Sequence, residues 1–474
     1  MNFLIFPNQL FDLQYLPKEI KTIYLIEHPI FFGKRGSLQM NFNQLKLLLH
    51  CSSMKFYKDE LEKGGYKVSY LSYHEFSYQK LPKTLVECFD VVDHLLEKEL
   101  KKNIKGIKFH ENPNFLVSTE ELDEFYKKKN GKILHKNFYE FIKKKINILK
   151  GEKTFDNENR HKIPKGVKIP PLPKEGNESK KYIEKSKKYI EKYFKKNYGN
   201  LDLKFPVTRK ESEIWFQNFL EKKLDKFGTY QDAIVEGENF LFHSIISPML
   251  NIGLLDPKNI IEKTLTYSTK KNISKNNYEG FLRQVVGWRE YQRFTYIYYY
   301  NDIIGKNIFK NERKLNKKWY DGTLGIKPVD DAIKLAFQDG YLHHILRLMI
   351  MGNFMNLCRI HPKEAYKWFM EFSVDSYDWV MIQNVYGMAM WSDGGFTMRK
   401  PYISTENYIL NMSNYQCSEK WCPIWKSLYY NFLEEFQDIL KKTPYGRNLV
   451  LWNKKNKKEK SMIQKEGKNF LKEL

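Results

Sequence analysis

Four short apolar runs lie within the first 130 residues, and helix-length stretches separate them. They are Asn2 to Phe6, Ile23 to Ile26, Lys67 to Leu71, and a run that begins or ends at Val91-Val92. Strands spaced this way need crossover helices, so the pattern predicts a parallel sheet. Gln44 to Leu61 reads as one such helix, stopped by Gly64-Gly65. From Arg209 onward the apolar period is helical almost throughout, with loops expected at Gly228, Asp256-Pro257, 272–277 and 321–327. The expected fold class is an α/β N-terminal domain with a Rossmann-like parallel sheet, followed by a large all-α domain.

Between the two halves, Lys150 to Gly176 carries Pro164, Pro170, Pro171 and Pro173 and no apolar period, which reads as an extended connector. Ser179 to Asn200 is rich in Lys and Tyr and reads as helical or disordered. The expected domains are 1–135, a connector 136–205, and 206–474, the last ending in a frayed basic tail from Asn453.

A chain of 474 residues supports two or three cores. No apolar run is long enough to cross a membrane, and Met1 to Phe6 lacks the features of a signal peptide. Five cysteines (Cys51, Cys88, Cys358, Cys417, Cys422) suggest no disulfide framework, so a reducing, cytoplasmic compartment is expected. The formal charge of +24 favours a polyanionic partner, nucleic acid first. An AT-rich genome and solvated lysine faces account for the charge equally well. Aromatic residues at 16 % suit a π-rich pocket, although a helical core also absorbs them. No glycine-rich dinucleotide fingerprint or P-loop lysine occurs. Glu27 directly follows the second run, where doubly wound sheets bind ligands; an ordinary loop carboxylate is the alternative.

The chemistry concentrates in the helical half. Tyr341-Leu342-His343-His344-Ile345-Leu346-Arg347 opens a segment that continues through Asp375, Tyr377, Trp379, Asn384 and Trp391 to Lys400-Pro401-Tyr402. A helix would put His343, His344 and Arg347 near one face, and so polar a cluster on an apolar helix needs partners or a site to line. Upstream, Ser244 and Ser247 precede Pro248 at an expected helix start, where hydroxyls and free N–H groups suit an anion; capping alone explains one serine. Glu279 to Tyr291 ends in Trp288-Arg289-Glu290-Tyr291, which alone reads as an ion pair beside a core tryptophan.

In this order and spacing the stretches resemble the photolyase/cryptochrome family, most closely its prokaryotic iron–sulfur branch of (6-4) photolyases and related cryptochromes. The resemblance covers most of the chain. It includes the opening strand with Asn8-Gln9-Leu10, Phe155-Asp156-Asn157-Glu158-Asn159-Arg160, and Gly340-Tyr341-x-His343-His344-Ile345-x-Arg347-Leu348-Met349 with Gly352-Asn353-Phe354.

The resemblance implies a flavoprotein. Ser244, Ser247, Leu250 and Gly253 would lie along the FAD phosphates, and Arg347 would pair with Asp375 beside the isoalloxazine ring. Asn384 or a neighbour would face N5. His343 and His344 would sit at the lesion, one as proton donor, with Tyr402 bordering that pocket. Trp368, Tyr377, Trp379 and Trp391 offer redox-active rings, with core packing as the alternative. Arg283, Arg289, Arg399 and Lys400 would contact DNA phosphates. Glu27 would meet a 6,7-dimethyl-8-ribityllumazine antenna, although Asn8 stands where the family commonly has an acid.

The branch also binds a 4Fe–4S cluster through four cysteines. Here 319–343 has no cysteine, Ala332 standing near the expected position, and the C-terminal region has only Cys417 and Cys422. With Cys358 as a remote third, the count falls short of four thiolates, so the cluster is expected to be lost. The resemblance implies a monomeric, light-dependent DNA repair lyase on UV-damaged single- or double-stranded DNA, a (6-4) photolyase that flips its target from the stack. The alternative is a cryptochrome-like photoreceptor without repair activity.

Overall fold

The computed structural model describes residues 1–129, 131–149, 155, 158–417 and 420–474. Asp156 and Asn157 of the connector motif lie outside the described residues. Five parallel strands form the N-terminal sheet in the order Val68–Leu71, Thr22–Ile26, Asn2–Ile5, Val86–Phe89, Lys108–His110. Asn2 pairs with Thr22 on one side and Val86 on the other, so the first strand is central. Its Phe3, Leu4 and Ile5 are fully buried, as strands covered on both faces require. The fourth strand ends at Phe89, before Val91-Val92, and Lys108–His110 is a fifth strand that its charged sequence did not announce.

Helix Gln44–Lys63 is capped by Asn43, whose side chain accepts from the Leu45 N–H, and ends at Gly64. Asn177–Phe194 forms a helix that packs against it, so this part of the connector is ordered by its apolar face: Tyr182, Ile183, Ile190 and Phe194 are buried. Helix His135–Lys145 packs on the segment Arg283–Arg289. Gly228 is not in a loop. It sits inside helix Leu224–Tyr230, where an added Cβ would meet the Asn276 carbonyl oxygen at 2.1 Å.

The helical half carries three π-helical segments, Arg283–Arg289, Leu346–Gly352 and Ile382–Ala389. Such wide turns are uncommon and concentrate at functional sites. All three contribute side chains to one cavity. The tail expected to fray is instead helix Lys457–Glu473, begun by a capping box between Asn456 and Glu459. It packs on helix Trp421–Glu435, whose Trp421, Trp425, Tyr429 and Phe432 are buried. At that crossing Gly467 donates its N–H to Ser427 Oγ at 2.7 Å. Among the described residues, no helix is long and apolar enough to cross a membrane.

Candidate cofactor and substrate cavity

The cavity has a volume of about 1640 Å³, and a side slot of about 180 Å³ opens behind it. Ordinary small-molecule sites run to roughly 300–1,000 Å³, so there is room for a cofactor and a second ligand. Its walls come from the loop before helix Ser247–Asn251, the three π segments, helix His135–Lys145 and the 397–404 segment.

Arg347 lines the slot and bonds Asp375 through two parallel contacts, Nη1 to Oδ1 at 3.0 Å and Nη2 to Oδ2 at 3.1 Å. Asp375 also accepts from Ser247 Oγ at 2.6 Å and from Ser373 Oγ. Burial alone would raise its carboxyl; the Arg347 charge and the two hydroxyls overcome that and hold it below the ordinary range. Asn384 lines both spaces. Its Nδ2 donates to the Val380 carbonyl at 2.8 Å, and its Oδ1 accepts from Gln292 Nε2 at 3.2 Å.

The serine string divides. Ser244, Ser247 and Leu250 line the cavity, but the Ser247 hydroxyl is given to Asp375, and the helix it opens is a single turn. Gly253 lies outside the lining. It has φ +89°, and a Cβ there would meet the Phe11 ring at 2.4 Å, so it is the close approach to the N-terminal domain that requires glycine. Ile245 lines the wall with φ 54°, a strained conformation for a β-branched residue of the kind found where ligands are clamped.

The histidines divide too. The helix begins at His344, so His343 precedes it and does not share its face. His344 is exposed to the cavity yet enclosed by the surrounding elements; burial, then the Arg347 charge, lowers it to about 4. His343 is fully buried behind His243, ring centroids 4.8 Å apart and 11° between planes. It is His243 that reaches the cavity, lowered to about 3 by burial and then by Lys223 and His344.

Among the four proposed redox rings, Trp379 lines the cavity, with Arg289 over its ring at 5.2 Å. Trp368 is fully buried one ring behind the slot, 5.3 Å from Phe369, and donates Nε1–H to the Trp319 carbonyl at 2.9 Å. The Tyr377 hydroxyl meets His50 Nε2 at 2.9 Å, and Trp391 donates to the Met398 carbonyl at 3.0 Å; neither lines the cavity.

Of the proposed phosphate contacts, Arg399 and Lys400 are exposed at the cavity mouth, together with Lys136 and Arg160. Glu140 and Asp232 also line it, so cations outnumber anions there. Arg283 and Arg289 are 7 % and 9 % exposed and belong to the wall, where a DNA backbone outside does not reach them. Arg289 Nη1 donates to the Asn114 carbonyl at 2.6 Å, and burial lowers the guanidinium to about 10. Tyr402 lines the mouth, half-buried.

Besides His243, the wall includes Trp288, His135 and Gln292, none of them expected at the site. Trp288 and His135 stack at 3.8 Å and 13°, and Gln292 lies beside Asn384. Trp288 stood in a motif that could have flagged it; His135 was the last residue of the expected N-terminal domain, at the edge of the connector. Their polar atoms test the fit to FAD. Arg289 Nη2, Gln292 Oε1, His243 Nε2 and His135 Nε2 are buried in this wall without a partner. Buried polar atoms are rarely left so, and a large polar ligand such as FAD offers complements.

Two further groups were at issue, the lumazine antenna and the 4Fe–4S cluster expected to be lost. Glu27 is 2 % exposed and accepts from Tyr70 Oη at 2.5 Å, the Tyr73 N–H at 2.8 Å and Tyr189 Oη at 3.0 Å, so the chain itself satisfies the carboxylate expected to meet a lumazine. Cys417 and Cys422 are joined as a disulfide, Cys358 is a separate buried thiol, and Ala332 is 1 % exposed. A 4Fe–4S cluster takes four thiolates, and this set does not supply them.

Residues 3–205 match the family described as deoxyribodipyrimidine photo-lyase-related protein, and residues 281–465 match the FAD binding domain of DNA photolyase. A (6-4) photolyase of Agrobacterium fabrum is 33 % identical over 322 residues, 64 % of this chain and 63 % of that protein's length. An uncharacterised protein of Acanthamoeba polyphaga mimivirus is 50 % identical over 114 residues, 23 % of this chain and 89 % of its own. The fold is similar to that of a class III photolyase from Agrobacterium tumefaciens, with TM-score 0.55, 15 % identity, and coverage of 100 % of this chain and 98 % of that one. It is equally similar to a Synechocystis sp. PCC6803 cryptochrome, with TM-score 0.55, 15 % identity, and coverage of 91 % and 88 %. A parallel five-stranded sheet, a helical half built around one polar cavity, and family matches on both halves lead to one assignment: the chain belongs to the photolyase/cryptochrome family.

Proposed function

We propose that the protein is a light-dependent DNA repair lyase that holds FAD in this cavity and acts on the (6-4) photoproduct. The observation that carries the reading is His344, an imidazole exposed inside a space too large for one ordinary ligand, three residues from the Arg347–Asp375 pair. Bound FAD supplies the light-driven electron. The chain does the rest. Arg347, Asp375 and Asn384 set fixed charge and dipoles at the flavin ring, and the Ser244 and Leu250 stretch lines the remainder of the cofactor. Burial excludes water. His344, neutral near pH 7, holds or passes a proton at the lesion, as general acid–base groups do. Of the four candidate redox rings, Trp379 lines the cavity and takes the role of electron relay. Arg399, Lys400, Lys136 and Arg160 hold the DNA backbone at the mouth. The iron–sulfur cluster of the branch is lost, and helix packing around Trp421 and Trp425 takes over its structural part.

The test is a blue-light assay on purified, flavin-reduced protein with single-stranded oligonucleotides carrying a (6-4) photoproduct or a cyclobutane dimer, against a dark control. Repair of the (6-4) lesion is expected; repair of neither, with FAD bound, overturns the repair reading. The second reading, a photoreceptor, is favoured by one observation: Cys417 and Cys422 pair with each other in the C-terminal region, a modification that fits a change of use.

A further inference from the structure

The acid of the cavity pair, Asp375, lies on the short segment 373–377, and the far side of that segment is held by the N-terminal domain. Lys46, on helix Gln44–Lys63, is 1 % exposed, and its hydrogen-bond partners among the described residues are carbonyls. Its Nζ donates to the Ser376 carbonyl at 2.6 Å and the Met370 carbonyl at 3.3 Å. Its remaining face meets aromatic rings, Phe42 at 3.9 Å and Tyr377 at 5.6 Å. One turn on, His50 Nδ1 meets the Phe31 carbonyl at 3.2 Å and Nε2 meets the Tyr377 hydroxyl at 2.9 Å. The network is satisfied when Nδ1 carries the proton and the tyrosine donates to Nε2. From the cavity side, Asn251 Nδ2 donates to the Asp375 carbonyl at 3.0 Å. Segment 373–377 is therefore clamped between two domains, with Lys46 and His50 as one jaw.

A buried ammonium that meets only carbonyls and rings is costly, and one kept despite that cost points to a use for its position. Hydrophobic isosteres would pack this interface without that cost. We propose that Lys46 is a positioning residue that fixes Asp375, and through it Arg347, from the N-terminal domain. The proposal rests on the reading of the cavity as a flavin site. Lys46 also places positive charge behind the Asp375 carboxylate. The charged and titratable groups facing it are Asp375, which favours its charge, Arg35, which opposes it, and His50 and Tyr377, which remain neutral. Burial lowers the ammonium to about 7, so near-neutral pH is where its charge is switched.

The test compares FAD affinity of the full chain and of K46M and K46R between about pH 6 and pH 9, a range that brackets this titration. Wild-type affinity is expected to fall as pH rises through neutrality. K46R, which stays charged, removes that step, and K46M binds about tenfold more weakly at the acid end. Equal affinity of wild type and K46M at every pH overturns the proposal. If K46M does not fold, wild type and K46R decide: a step common to both, or absent from both, overturns it. A wild-type protein that binds no FAD overturns the flavin reading instead. Lys46 is then judged by amide exchange of residues 373–377 without ligand, where faster exchange in K46M supports the clamp and equal exchange rejects it.

Discussion

His343 stacks on His243 at 4.8 Å with 11° between the ring planes, and only the outer ring of the pair, His243, reaches the cavity. Both nitrogens of His343 are buried without a partner. An apolar ring of similar shape removes those unmet donors and acceptors and preserves the stack. H343F is expected to keep FAD binding and repair within a few-fold, with melting temperature unchanged or raised, while H344A lowers repair about 10²-fold or more with FAD retained. Repair rates and thermal unfolding check this; loss of repair in H343F equal to that in H344A would place His343 in the chemistry.

Arg347 and Asp375 form a buried bidentate pair. R347A leaves Asp375 charged in the wall, which costs about 3–5 kcal/mol. FAD affinity and thermal stability are both expected to fall. An unaltered flavin spectrum together with wild-type unfolding would count against the pair.

Acid should weaken the fold from an unusually high pH. His50, His135 and His243 are lowered to about 3, in each case first by burial. Their unfolded value is about 6.5, so below that pH the unfolded chain binds protons that the folded chain refuses. Stability contributed by these neutral imidazoles is complete above about pH 6.5 and is lost as pH falls toward 3. The melting temperature is expected to drop between about pH 7 and pH 5, before most carboxylates titrate. A flat profile across that interval would refute it.

Gly467 sits where helix Lys457–Glu473 crosses helix Trp421–Glu435, and a Cβ there would stand 2.7 Å from Ser427 Oγ and 2.8 Å from the Leu428 nitrogen. G467A is expected to destabilise by about 1–3 kcal/mol through overpacking. Thermal or denaturant unfolding measures it, and a neutral result would mean that the helix is not docked as described.

The cysteine arrangement predicts a thiol count. Denatured, unreduced protein should react at three thiols, Cys51, Cys88 and Cys358, and at five after reduction. Iron analysis of protein made without oxygen should give well under four irons per chain, against the full complement of a 4Fe–4S site. Four irons would show that other ligands complete the cluster.

What the sequence alone determined was whatever local chemistry dictates. Apolar runs of strand length spaced by helices made the parallel sheet legible, and Asn43 and Gly64 bound their helix through caps that act within a few residues. The pairing of Arg347 with Asp375 was legible through resemblance, because the family implies that partner for the arginine of the motif. Tertiary structure decided what depends on distant contacts. Gly228 and the tail after Asn453 read as loop and fray, since nothing local reveals that Asn276 or Ser427 approaches their backbone. Adjacent His343 and His344 went to opposite sides of the wall because the helix begins between them, and His243, a hundred residues earlier, took the place beside His344. Lys46 gave no local sign of its role. A lysine in the first turn of a helix reads as solvated until the packing of two domains buries its amine against the carbonyls of Met370 and Ser376.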